Sequence, residues 1–456
     1  MDRTIRTARV ACQCRPARSS RTSQSVDNAV VPTTPPPRDI ATGGAVVLIA
    51  TVLTSALGVA YTIAMARLLS PVDYATLVSL LSLLSVASLP AGPIQTVVAR
   101  ATAVAIGRGE PDPTLPVVRE HGPRIGGLAL ALTLGAAVAV PWLAGFLQFE
   151  DPLLLWLGVP ILGLGMLQPL LRGLAQGRSR FVLLASAAVI DIGGKVLGGV
   201  ALALAGFAVR GALGAILAGG IASFVLVLAV FRRDSRLVPA NHGAGGMPVE
   251  TGWSSIVATS LAFGSLTALV TLDAVLVKHQ FPDEVAATYA VLSVAGRSLF
   301  WATGAITTVL LPVVARQAGA GNRGRESLWL GLAITVAVAG AGELAFLVAP
   351  TLIVTMLFGA TYLAAAPMLP VFGLGSLSLS LASVVLTWLV AQGRQAGAVI
   401  VPFAVLAQIA AILSGPDGLA DALARIVAVN GATLAALIAA AVMRERAVER
   451  SGAVPA

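Results

Sequence analysis

Six ionisable residues sit inside long apolar runs: Asp191, Lys195, Asp273, Arg297, Glu343 and Arg425. A charge held in hydrocarbon costs about 3 kcal/mol even on insertion scales, so each is a candidate for chemistry. Asp191 and Lys195, in "VIDIGGKVLGG", are four residues apart, a spacing that puts both on one face of an α-helix. Two readings stay open for them, a self-neutralising pair or the polar lining of a cavity. The adjacent Gly193 and Gly194 suit close packing or a local bend. Asp273 ("VTLDAVLVK") and Arg297 ("SVAGRSLFW") fall on consecutive apolar segments that a hairpin would bring together. The guanidinium would then pair with the carboxylate, or face a cavity and offer bidentate geometry to a phosphate. Arg297 is the leading substrate-contact candidate, with Asp273 its partner. Glu343, in "VAGAGELAFLVAP", has no partner on its own segment. Such a carboxylate is a candidate for ion coupling, and is equally what an inert buried acid looks like. Arg425 is close enough to a segment end to snorkel to the surface.

Other chemistry is not signalled. No phosphate-cradling Gly-rich loop with its lysine occurs, so ATP hydrolysis is not expected. His121, His242 and His279 are too scattered for a metal site, and no nucleophile stands at a diagnostic spacing from a base. The expectation is a non-enzyme without cofactor or metal. Cys12 and Cys14, in an Arg-rich stretch, read as incidental thiols.

The elements that must position these residues are membrane helices. Of 456 residues, 57% are hydrophobic and 11% charged, with a mean hydropathy of +0.89. Soluble domains carry about 25% charged residues. Apolar runs of roughly 20 residues recur, the length that crosses ~30 Å of hydrocarbon, and the period-2 alternation of a barrel is missing. The runs predict twelve spans, near 43–66, 74–97, 125–147, 152–174, 181–205, 209–231, 254–278, 286–313, 327–349, 366–390, 396–414 and 420–442.

The formal charge of +9 reports topology rather than nucleic-acid binding. With both termini on one side, 24 of the 30 basic residues fall on that side and only Arg67, Arg210 and Lys278 on the other. That bias places both termini in the cytoplasm. The 28 Arg against two Lys, with abundant Ala and Gly, suggest a bacterial source with a GC-rich genome, and hence a multi-pass plasma-membrane protein.

The tetrapeptide "AQGR" ends span 4 at 175–178 and recurs after span 10 at 391–394. "VVAR" closes span 2 at 97–100 and span 8 at 313–316, again 216 residues apart, and Tyr74 and Tyr289 keep an offset of 215. Three landmarks in one register indicate a duplication of six spans. Because six is even, the copies are parallel repeats, an architecture that sets a cavity between two lobes. The predicted organisation is a disordered Arg/Pro-rich tail (1–40), an N-lobe (41–231), an interlobe linker (232–253), a C-lobe (254–442) and a C-terminal tail (443–456). Arg100, Arg178, Arg316 and Arg394 end spans on the cytoplasmic side, where they would anchor to headgroup phosphates. Pro90 and Pro93 interrupt span 2, Pro160 and Pro169 span 4, each a potential kink.

The stretches "ARLLSPVDYATLVSLLSLL", "GLAQGRSRFVLLA" and "LDAVLVKHQFPDEVAATYAVLSVAGRSLF" resemble the polysaccharide-biosynthesis (Wzx-type) flippase family, as does "VTMLFGATYLAAAPMLPVFGLGSLSLSLASVVLTWLVAQGR". That family belongs to the multidrug/oligosaccharidyl-lipid/polysaccharide exporter superfamily. The likeness covers about 43–442. It implies a MATE-like fold, two six-helix lobes around a V-shaped cavity. It also implies a cargo, commonly a saccharide on a polyprenyl-diphosphate lipid, moved to the outer leaflet. Membrane lipids, and glycosyltransferases or a polymerase of the same pathway, would be partners; nucleic acid would not. Two alternatives are a cation-coupled multidrug exporter of the same superfamily and a non-transporting scaffold acting through residues 1–40.

Overall fold

The computed structural model describes residues 37–107, 114–149, 151–235, 253–319, 325–392 and 397–451. Cys12, Cys14, His242, Arg394 and most of the predicted tail and linker lie outside them. The described residues form an all-helical bundle: α1 (Pro37–Leu68), α2 (Pro71–Ala87), α3 (Ala91–Gly107), α4 (Thr114–Phe146), α5 (Leu153–Gly177), α6 (Phe181–Gly193), α7 (Gly199–Leu202), α8 (Ala208–Ser235), α9 (Trp253–Gln280), α10 (Asp283–Gly319), α11 (Arg325–Val348), α12 (Pro350–Leu357), α13 (Leu369–Ala391), α14 (Gly397–Leu413) and α15 (Leu419–Ser451). One-turn π segments, Gly194–Gly198 and Ala203–Phe207, flank α7, and a 3₁₀ stretch, Ala360–Met368, precedes α13.

These helices make twelve crossings. Seven long apolar segments each cross once, and α2 with α3 forms one bent span. The apolar stretch Phe181–Arg233 holds two, because the chain reverses at Gly206 (φ 87°) and Ala208, and α6 and α7 pack back against α8. Two shorter apolar helices, Leu53–Leu68 and Val399–Leu413, complete the set. Large apolar side chains such as Val138, Leu197, Leu344 and Val348 stand exposed on the outside of the bundle. In water such a surface would drive aggregation; in a bilayer it meets acyl chains.

Local chemistry sets the helix ends and contacts. Ser70 caps α2 by accepting from the amide of Asp73 (3.1 Å), and Pro71 occupies the first helical position, where its missing N–H costs nothing. The first "AQGR" is a packing corner. Ala175 is fully buried, Gln176 accepts from Gln95 on α3 (2.9 Å), and the Arg178 guanidinium lies 5.4 Å from the Phe231 ring centre. A Cβ on Gly177 would stand 2.5 Å from the Ala99 carbonyl oxygen, so only glycine lets α5 approach α3 so closely.

Span 2 breaks at residues 88–90. α2 and α3 differ in direction by 43°, with Pro90 and Pro93 at the bend. The break changes the helix's neighbours: α2 packs mainly against α9 and α10 of the second half, whereas α3 packs against α5 and α4 of the first.

Burial follows that division. At the end of the bundle away from the chain termini, both halves share one core, which runs from Tyr61, Met65 and Tyr74 to Val277, Tyr289, Tyr362 and Leu369. At the end nearer the termini the cores are separate. One gathers Val98, Leu174, Ala187 and Phe231 in the first half; the other gathers Leu266, Val314, Leu386 and Leu437 in the second. The halves are joined at the far end and parted at the terminal end.

Candidate functional site

Where the halves part, the bend of span 2 opens a cleft of about 440 Å³. Its walls come from Leu89, Pro90, Pro93, Ile94 and Val97 at the bend, from His121, Arg124, Ile125 and Leu128 on α4, and from Ser260, Leu261, Gly264 and Ser265 on α9. The cleft therefore lies between six-helix halves and is walled mostly by carbon.

Arg297 and Asp273 lie elsewhere, near the joined end. The Arg297 Nη2 donates to Asp273 Oδ1 (2.6 Å) and to the Thr271 carbonyl (3.1 Å), while Nη1 donates to Ser82 Oγ on α2 (2.9 Å). Tyr289 Oη donates to the second Asp273 oxygen (2.6 Å). The cluster is largely buried, and Ser82 belongs to the other half, so this charge-assisted network spans the interface. Arg297 and Asp273 also border a void of about 20 Å³ inside the second half, with Ser376 and Asn430 on its wall, room for about one water molecule.

Asp191 and Lys195 do not pair as an i, i+4 couple. Arg172 on α5 takes Asp191 (Nη2 to Oδ2, 2.7 Å), and the Lys195 ammonium lies 4.5 Å from the Tyr61 ring centre. A π segment, Gly194–Gly198, begins just after Asp191 and contains Lys195, so the helix is locally irregular where the pair would form. Gly194 there meets Gly219 of α8, and a Cβ would come within 2.6 Å of the Gly219 Cα. Arg172 is the partner that the spacing of Asp191 and Lys195 did not indicate; its place, five residues before the end of α5, was the available signal.

Glu343 is buried between α11 and α13, and its Oε2 has no hydrogen-bond partner among the described residues. A Cβ on Gly373 would collide with that carboxylate, so Gly373 makes the room it occupies. Arg425 is held by Asp421 (2.7 Å), Ser414 Oγ (2.7 Å) and the Ala411 carbonyl (3.1 Å). The backbones of Arg100 and Arg316 belong to α3 and α10.

The joined end carries two related fastenings. Arg67, on the last turn of α1, donates to the carbonyls of Met356 and Leu357 at the end of α12. His279, on the last turn of α9, donates from Nδ1 to the Phe146 carbonyl at the end of α4 (2.5 Å), its ring stacked on Phe146 at 3.8 Å. In each, a basic side chain from one half meets a helix C-terminus of the other, where unsatisfied carbonyls and the helix dipole favour it. Lys278, read at the end of span 7 on the side away from the termini, is buried there on the last turn of α9; it pairs with Asp283, and its ammonium lies 5.9 Å from the Phe149 ring centre. Burying its stem against the other half's aromatic residue withdraws it from solvent.

No protein-family model matches the chain, and no curated protein matches it in sequence. Among solved structures it is similar to an inward-facing multidrug-resistance MATE family transporter of the MOP superfamily (TM-score 0.62, 14% identity, 90% of this chain and 99% of that one). It is likewise similar to the lipid II flippase MurJ in an inward closed conformation (0.61, 13%, 87% of each chain). The eukaryotic MATE transporter AtDTX14 gives 0.59 at 14% identity, over 88% of this chain and 95% of that one. At such identities the likeness carries architecture alone, and the architecture is that of a multi-pass membrane protein with a MATE-like fold.

Proposed function

We propose that the protein is a transporter that moves an amphiphile across the bilayer by alternating access, its cargo a lipid-linked oligosaccharide or polysaccharide precursor for the cell envelope. One observation carries this reading: the halves share a core at one end and have separate cores at the other, with a cleft between. A bundle packed in that way exposes its cleft to one side, and rocking the halves would expose it to the opposite side. The excess of basic residues on the terminal side supports a cytoplasmic open end, the side on which lipid-linked precursors are assembled. In this reading Arg297, Asp273, Lys195 and Asp191 contribute to the polar interior that a headgroup meets in transit, and the span-end arginines hold the bundle at the headgroup level. Glycosyltransferases or a polymerase of the pathway would supply and consume the cargo.

A second reading, a cation-coupled exporter of apolar drugs, has its own support. The cleft walls are mostly apolar, and Glu343 offers an unpartnered carboxylate for ion coupling. Proteoliposomes separate the two. A flippase translocates a fluorescent polyprenyl-diphosphate saccharide without expelling lipophilic cations; an exporter does the reverse and loses that activity in Glu343→Gln. Failure to translocate the lipid-linked saccharide, together with active cation efflux, would replace the first reading with the second.

A further inference from the structure

The cleft has a polar edge that matches a membrane phospholipid. Arg124 is exposed and borders the cleft, with no partner among the described residues. His121, one turn earlier on α4, is 4% exposed; its Nε2 is fully enclosed and no described residue hydrogen-bonds to it. A spacing of three residues puts both on one helix face. A buried imidazole nitrogen left without a partner costs about 1–3 kcal/mol, which a turn of the ring towards an oxygen acceptor at the cleft wall would relieve.

Depth supports a lipid over a soluble anion. Arg124 directly precedes the uncharged run of α4 that ends at Phe146, and Ile125 and Leu128, the next residues of that run on the cleft wall, lead away from it. The wall continues over Leu89, Ile94 and Leu261. The space of about 440 Å³ equals about fifteen water volumes, close to the methylene count of one ordinary acyl chain. A mostly apolar trough with one cation, one imidazole and two serines on its wall suits a tail below a phosphate.

We propose that an anionic glycerophospholipid of the terminal-side leaflet occupies this cleft, one acyl chain along Leu89, Ile94, Leu128 and Leu261, its phosphate on Arg124 and His121. The site stands whether or not the protein carries a lipid-linked saccharide; any cargo using the cleft must displace the lipid.

The chain's three histidines make the test direct. The full-length protein, labelled with ¹⁵N-histidine, is placed in phosphatidylcholine nanodiscs with rising phosphatidylglycerol content, and His121→Asn assigns the resonance. The His121 signal moves and saturates with phosphatidylglycerol, stays put with inorganic phosphate, and in Arg124→Gln needs about tenfold more lipid, the loss expected for one charge-assisted hydrogen bond. Native mass spectrometry finds one phosphatidylglycerol retained by the parent and lost from Arg124→Gln, which keeps its fold because the residue is exposed. An unmoved signal, an identical titration in Arg124→Gln, or an equal response to inorganic phosphate overturns the proposal. Flipping assays bear on the transport reading alone, so the two fail separately.

Discussion

Replacing Asp273 by alanine tests whether the interface network is held by its charges. In the parent, Arg297 is only 12% exposed and Asp273 4%, and their oxygen and nitrogen are 2.6 Å apart. Removing the carboxylate leaves a buried guanidinium with only Ser82 Oγ and the Thr271 carbonyl, and strips Tyr289 of its acceptor. Breaking a buried pair from one side costs about 3–5 kcal/mol, because the remaining charge keeps its desolvation penalty without its partner. Removing both charges avoids that penalty, so Asp273→Ala with Arg297→Met should recover most of the loss, ending within about 2 kcal/mol of the parent. The measurement is reversible unfolding in mixed micelles, followed by the fluorescence of the six tryptophans. Either of two results refutes the reasoning: Asp273→Ala within about 1 kcal/mol of the parent, or a double variant as unstable as the two single losses added together.

Other expectations follow from the same contacts. Arg67→Ala with His279→Ala removes both fastenings at the joined end, and should raise the population open at that end by about tenfold or more. Spin-label distances between α1 and α12, and between α4 and α9, report it, and unchanged distance distributions would count against a fastening role. Gly373→Ala drives a methyl into the Glu343 carboxylate and the Phe346 ring, and should destabilise by about 1–3 kcal/mol. Adding Glu343→Ala should relieve part of that loss in the same unfolding assay. Deleting residues 1–40 should leave translocation in proteoliposomes intact; its abolition would favour the scaffold alternative.

How much was legible depended on whether a feature was local. The crossings could be read because each needs only a run of apolar residues long enough to span hydrocarbon. The bend at Pro90 and Pro93 was visible because proline acts on its own helix. The pairing of Asp191 with Arg172 was hidden because it joins two different helices, which spacing along one helix does not report. The burial of Lys278 was not legible because it depends on Phe149, 129 positions earlier in the chain and in the other half. That Arg124 and His121 share a cleft with α9 was not legible, because it joins helices more than 130 residues apart in the chain. Periodicity says which face of a helix is apolar, and not which neighbour will cover it or leave it bare.

The break in span 2 has a mechanical consequence. Its counterpart α10 runs from Asp283 to Gly319 as one helical run, so the duplicated copies are not interchangeable as machine parts: one contains a break, the other is continuous. Motion that begins at the parted end meets a 43° break on one side and a continuous helical run on the other. Twofold descent has thus left a one-sided lever.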